Sequence, residues 1–365
     1  MDRQQIINPH ANFFQKVFSR MDVAHDFILH YLPEELVKQL DLNTLELDRE
    51  SFVDILLSAT QSDLVFKVNT KDNKKLLIYV LIEHKSYLDR WVLFQLLGYM
   101  VRISEREREI KALERKDKRK ENIENDLPEN EGIEKECITV VLPVILYHGV
   151  KDWTIHGDLS ALYCDGDNFV NYIPEFDYEL IDLSTYGNHQ IIGNVYLQVA
   201  MLVMKHYYSE GFDELLSQFL NLLSDLVDDW STINFISIVL LYSSSHKSRG
   251  QKWLTSTIEN NFNKAFGTKG GDVMEAVSNI WIEQGKKEGK KEGKKEGKKE
   301  GLLEKAREMV IEALKTKYNN VTQSISKIIQ SIKDEEMLRN LHREVILCNN
   351  MPEFQLRLEK IRHSS

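Results

Sequence analysis

The stretch Leu76-Leu77-Ile78-Tyr79-Val80-Leu81-Ile82-Glu83-His84-Lys85 decides the fold of this chain. A near-continuous apolar run of this kind is the signature of a central strand covered on both faces. Such a strand has no cheap place for charge, yet it runs straight into Glu83 and Lys85. At positions i and i+2 these two project to one face while His84 points to the other. Towards the N-terminus, Asp63-Leu64-Val65-Phe66-Lys67-Val68 opens a second strand on a carboxylate. The polar cluster Asn69 to Asn73 then reads as a turn. This order predicts a hairpin, and an antiparallel register bringing Asp63 close to Glu83 is the expectation built on it.

Two carboxylates at one sheet end repel each other and stay ionised most easily with a cation between them. Magnesium suits them, because it prefers oxygen ligands and often takes only one or two carboxylates plus phosphate oxygens. A metal-bound water would then be the nucleophile, with the metal also neutralising charge in the transition state. Lys85 fits as the group that orients or deprotonates that water, or that offsets phosphate charge; the sequence does not separate these roles. Taken alone, Glu-x-Lys at a strand end is most often a solvated surface pair worth less than about 1 kcal/mol. The Asp at hairpin distance favours the site. The next segment, Asp89 to Ile103, has helical apolar spacing with Asp89 as a capping residue. Gln95 and Tyr99, four apart, share one face of that helix, where a packed Tyr with a satisfied hydroxyl is the structural alternative.

An Asp on one strand, Glu-x-Lys on the next and Gln-x-x-x-Tyr on the following helix resemble the PD-(D/E)XK nuclease fold. A closer resemblance is carried by His10 with Phe13 to Phe18, Tyr31-Leu32-Pro33-Glu34-Glu35-Leu36, Ser62-Asp63-Leu64, Ile82 to Ser86, Leu142 to Gly149, and Trp153. These motifs, in this order, resemble the Rpn family of recombination-promoting nucleases over roughly the first two-thirds of the chain. The resemblance implies a magnesium-dependent DNA endonuclease with Asp63, Glu83 and Lys85 as catalytic positions, and Gln95 and Tyr99 supporting substrate or water. It also implies a setting in recombination or mobile elements. Two positions depart from the family pattern: His10-Ala11 stands where His-Asp is common, and Lys85 where many members carry Gln. His10 is read either as a helix-start residue or as a contact to phosphate, and enters the site as a doubtful member. Tyr147-His148-Gly149 ends an apolar strand and reads as packing and a tight turn.

Length and composition agree with a globular core plus a further helical unit: 365 residues, 42% hydrophobic. Apolar runs such as Phe235 to Tyr242 fall far short of the roughly 20 residues a membrane span needs. The N-terminal residues Met1 to Gln5 show no secretory pattern. Cys137, Cys164 and Cys348 form neither a disulfide framework nor a zinc pattern, which suits a reducing cytoplasm. A net charge of −10 is awkward for binding DNA. Local distribution matters more, and Arg102 to Lys120 is rich in Arg and Lys. That segment reads as a solvated helix end entering a flexible insertion near 105–136, with backbone contact as the alternative.

From Gly285 the unit Gly-Lys-Lys-Glu occurs four times through Glu300 and closes on Gly301. Glycine at every fourth position costs about 1 kcal/mol apiece in a helix, so the tract reads as a solvated, semi-helical connector. A four-residue unit corresponds to a twelve-base coding repeat, whose copies can change without a frameshift. Finding an invariant copy number in related isolates would count against this hypothesis. Beyond it, Leu302 to Lys317, Val321 to Ile332, Glu335 to Ile346 and Pro352 to Ile361 read as short amphipathic helices suited to a homodimer contact.

The expected architecture is a restriction-endonuclease-like α/β core with a mixed central sheet flanked by helices. The core spans residues 1–270, the repeat connector 271–301, and a small helical region 302–365. The expected function is magnesium-dependent DNA cleavage; a catalytically weak DNA-binding scaffold and an RNA-directed nuclease are the alternatives.

Overall fold

The computed structural model describes residues 8–48, 64–71, 77–124, 137–155, 159–246, 249, 261–319 and 321–363. The chain divides into two compact units, Met1–Ser278 and Asn279–Ser365.

In the first unit, helices α1 (Pro9–Phe18), α2 (Met21–Tyr31) and α3 (Glu34–Val37) precede strands β1 (Leu40–Leu47), β2 (Leu64–Thr70) and β3 (Leu77–Lys85). Helix α4 (Val92–Glu124) leads to β4 (Val140–Tyr147) and β5 (Glu179–Asp182). Helices α5 (Val195–Lys205), α6 (Phe212–Asn221) and α7 (Trp230–Ser244) follow. Among the described residues, the strands form a five-stranded sheet in the order β1-β2-β3-β4-β5. The β1, β2 and β3 pairings are antiparallel, whereas β3 with β4 and β4 with β5 are parallel. The sheet is therefore mixed, and α4 is the crossover that a parallel pair requires.

The apolar run is explained by its place: β3 is central, hydrogen-bonded to β2 on one edge and β4 on the other. Pro143 lies inside β4, aligned with Leu81 of β3, and β5 pairing begins only at Val144. The residue without an N–H thus sits where no strand requires one from it on that edge. On one face, Val65, Val141, Ile145 and Tyr147 pack against Val92, Leu93, Leu96, Tyr99 and Ile103 of α4. On the other, His84 stacks on Phe14 of α1, which packs with α5 and α7. After β4 the chain turns so tightly that a Cβ at Gly149 would lie 2.1 Å from the Tyr147 hydroxyl, which donates to the Lys151 carbonyl. Glycine is required there by close approach.

In the second unit, the end of α8 (Gly270–Tyr318) joins α9 (Gln323–Ser331), α10 (Glu335–Leu347) and α11 (Met351–His363). They share a core that includes Val310, Leu314, Ile329, Leu338, Leu341 and Phe354. Thr322 and Asp334 cap α9 and α10 through their side-chain oxygens. At the far end of α10, Lys317 Nζ donates to the carbonyls of Val345 (3.0 Å), Ile346 (2.6 Å) and Cys348 (2.7 Å), satisfying orphan acceptors with a cation.

The glycine repeat differs from its semi-helical expectation: α8 is uninterrupted helix from Gly270 to Tyr318. Buried apolar residues lie on both sides of the tract, Val273, Val277 and Ile280 before it and Val310 and Leu314 after it. Elongating an existing helix costs far less than nucleating one, and Glu283 with Lys287 adds an i,i+4 pair at 2.8 Å. Among the described residues, no helix is long and apolar enough to cross a membrane.

Candidate active site

The β2 and β3 register runs from Asn69 opposite Leu77 to Leu64 opposite Ile82. It stops one position short of Asp63 and Glu83. Asp63 lies outside the described residues; the backbone of Glu83 belongs to β3 and is aligned with Ile145 of β4.

Lys85, the last residue of β3, is buried at 6% exposure. Its ammonium donates to Asp89 Oδ2 at 3.0 Å and to Gln95 Oε1 at 2.8 Å. Gln95 Nε2 in turn donates to the Tyr99 hydroxyl at 2.8 Å. Three of the expected site residues, Lys85, Gln95 and Tyr99, are thus joined in one hydrogen-bonded series between strand and helix. The i,i+4 spacing on α4 aligns the two helix members. Asp89 completes the series: its Oδ1 accepts from the Trp91 N–H at 3.0 Å while Oδ2 holds Lys85. Sequence reading gave Asp89 only the capping role. Nothing in local spacing marks it as the partner of Lys85, because the intervening residues form no helix.

Alternation along β3 sends His84 to the opposite face, into a cluster of rings. His84 and His148 stack with centroids 4.8 Å apart, and His10 lies 5.1 Å from His148 and 6.4 Å from His84. His10 occupies the first turn of α1, with Nδ1 2.8 Å from the Tyr242 hydroxyl and Nε2 3.0 Å from that of Tyr208. Two hydroxyl partners suit a neutral imidazole, one nitrogen donating and the other accepting. Burial and then the neighbouring His246 lower His10 to about 4. Burial, reinforced by His10, takes His148 down to about 3 against the opposing influence of the Met204 backbone. Burial, followed by His148, His10 and Lys85, holds His84 well below the usual imidazole range. The structure therefore places His10 with neutral rings on the side of β3 away from Lys85. No group of three or more His, Cys, Asp or Glu side chains able to hold a metal occurs among the described residues. The sequence hint for this cluster was His148 at a strand end, read as packing and turn.

Of the basic run on α4, Arg106 is committed internally: with Lys67 it holds the buried Asp48, at 2.9 Å and 3.4 Å. Lys111 pairs with Glu107, whose carboxylate also accepts from Thr139, the residue before β4. Arg102, Arg108 and Lys116 are exposed. Helix α4 continues to Glu124, and 125–136 of the expected insertion lie outside the described residues.

Comparison with known proteins places the chain in a family. The family described as "Putative transposase, YhgA-like" matches residues 8–233. Recombination-promoting nuclease RpnD of Escherichia coli O157:H7 is 26% identical over 242 residues, 64% of this chain and 81% of the relative. Recombination-promoting nuclease RpnA of Escherichia coli K12 is 24% identical over 225 residues, 61% of this chain and 68% of the relative. The K12 protein YjiP, named a "putative inactive recombination-promoting nuclease-like protein", is 37% identical over 95 residues, 26% of this chain and 91% of the relative. No solved structure matches the chain.

Proposed function

The chain belongs to the YhgA-like transposase family, and on that footing we propose that it is a magnesium-dependent endonuclease hydrolysing DNA phosphodiester bonds in recombination or at mobile elements. The core is read as restriction-endonuclease-like, a reading supported by the β-hairpin, the α4 crossover and the parallel β4 in that order. The names of RpnD and RpnA support nuclease action.

The observation that carries the proposal is the fixed ammonium of Lys85 at the end of β3, two residues beyond Glu83. A register ending at Leu64 and Ile82 is the one that a shared Asp63 and Glu83 site needs. Asp63 and Glu83 would hold magnesium, their hard carboxylate oxygens matching its preference. When bound, the ion supplies neutralisation of charge at the scissile phosphate. Lys85 faces two acceptors, so its part is that of a donor, orienting the attacking water or a phosphate oxygen. Gln95 and Tyr99 keep that donor aimed, and His10 takes no part.

The test is supercoiled plasmid incubated with purified protein in magnesium and in chelator, with Asp63→Ala and Lys85→Ala as variants. Nicking in magnesium alone, lost in both variants while each still melts cooperatively, is expected. Retained nicking by either variant overturns the assignment. The name of YjiP favours a second reading, a DNA-binding scaffold on the same fold. DNA bound equally with and without magnesium, and no product, would establish it, while cleavage of RNA alone would redirect the substrate. The C-terminal helices are proposed to pair two copies, supported by Ile346 and Leu347, 64% and 62% exposed. Ile346→Asp with Leu347→Asp should halve the mass seen by light scattering; a wild-type monomer rules this contact out.

A further inference from the structure

Next to Asp89 in the chain, three aromatic rings face solvent: Tyr87, Trp91 and Phe94 are 63%, 57% and 51% exposed. They adjoin the candidate site through one carboxylate, since Asp89 holds Lys85 with one oxygen and the Trp91 N–H with the other. Phe94 directly precedes Gln95, the second partner of Lys85. Arg90 Cζ lies 5.9 Å from the Trp91 ring centroid, and the guanidinium is anchored by donating Nη2 to the Ala161 carbonyl at 3.0 Å. Further along α4, Gly98 and the exposed Arg102 follow Trp91 at seven and eleven residues, on the same helical stripe. A Cβ at Gly98 would meet no atom within 4 Å, so the surface between the rings and Arg102 is open.

The chemistry of this stripe is selective. From Ser86 to Ser104 the charged side chains are Asp89, Arg90 and Arg102, and Asp89 is already paired with Lys85. The strip is thus locally cationic on a chain of net charge −10. Exposed flat rings interleaved with guanidinium groups match single-stranded nucleic acid, whose bases stack on aromatic faces while cations meet phosphates. A paired duplex keeps its base faces inside the stack and offers nothing to these rings.

We propose that Tyr87, Trp91 and Phe94 form a stacking platform for unpaired nucleobases, with Arg90 and Arg102 against the backbone, so that the strand presented to Lys85 is single-stranded or locally opened. The proposal rests on the nuclease reading above for its catalytic meaning and narrows the substrate of that same site.

The experiment measures binding of the full-length chain, in chelator, to a labelled short oligothymidine, to an abasic oligomer of equal length and to a duplex. Trp91→Ala and Phe94→Ala are each expected to weaken oligothymidine binding roughly tenfold. Binding of the abasic oligomer should stay unchanged, and Trp91→Phe should restore the loss because it keeps a ring. These side chains are exposed, so unchanged melting is expected of all three variants. Variants that bind oligothymidine like the wild type, or that lose abasic binding equally, overturn the platform. So does intact DNA binding with an altered mass in light scattering, which would make the patch a protein contact. A wild type that binds in this ring-dependent way yet cuts nothing in magnesium removes the nuclease reading and leaves the platform standing. Cleavage by the wild type with ring-independent binding removes the platform alone.

Discussion

Lys85 is held from two directions, by Asp89 beside it in the chain and by Gln95 from α4, and each contact has its own measurable consequence. Replacing Gln95 with Leu removes the acceptor that fixes the ammonium and the donor that meets Tyr99. Cleavage should fall about tenfold to a hundredfold, the usual cost of losing a supporting partner, with DNA binding retained. Gel quantification of nicked plasmid reads this directly. Asp89→Asn separates two roles of one side chain. Asn still caps the first turn of α4 through its one amide oxygen, whereas the buried ammonium of Lys85 loses this counter-ion, so both the melting temperature and the cleavage rate should drop. An unchanged rate would reduce Asp89 to a cap. Gln95 and Tyr99 were legible beforehand because helical spacing is a local property. Asp89 was legible only as a cap, since its bond to Lys85 depends on how the loop after β3 folds back.

At the level of elements, the β2 and β3 hairpin and the strand ending at Tyr147 could be read from apolar runs and turn residues, and the structure has both. The lengths of α4 and α8 could not. Both run through polar sequence that looks like a linker, and what sustains them is apolar anchoring beyond the polar stretch or at one end of it. The Phe235 to Tyr242 run, too short to cross a membrane, lies within α7, a helix with buried residues on several sides. In α8, Gly285, Gly289, Gly293 and Gly297 have open space where a Cβ would project. Each Gly→Ala change should therefore stabilise the helix by about 1 kcal/mol without a clash. Slower amide hydrogen exchange across the tract would register the gain, and no slowing in the quadruple variant would contradict the continuous helix.

On the scale of the whole molecule, two units with separate cores predict separable folding. A fragment of residues 279–365 should melt cooperatively by itself, followed by circular dichroism, and a featureless melt would show dependence on the first unit. Acid should act on the first unit through its histidines. His10 and His148 titrate near 4 and 3 when folded, against an ordinary value of 6.5. Unfolded chains therefore take up these protons first, so the stabilisation is complete above about pH 6.5 and drains away as the pH falls towards 4. Melting temperatures measured from pH 7.5 down to 5 should decline, and His148→Phe should flatten the slope. These rings reach the catalytic candidate through the backbone: His84, on which His148 stacks, directly precedes Lys85 on β3, and the His148 N–H donates to the Lys85 carbonyl at 3.1 Å. Souring the solution would then silence cutting by loosening the scaffold from behind, and the acidic edge of activity should track the melting curve instead of the titration of any carboxylate.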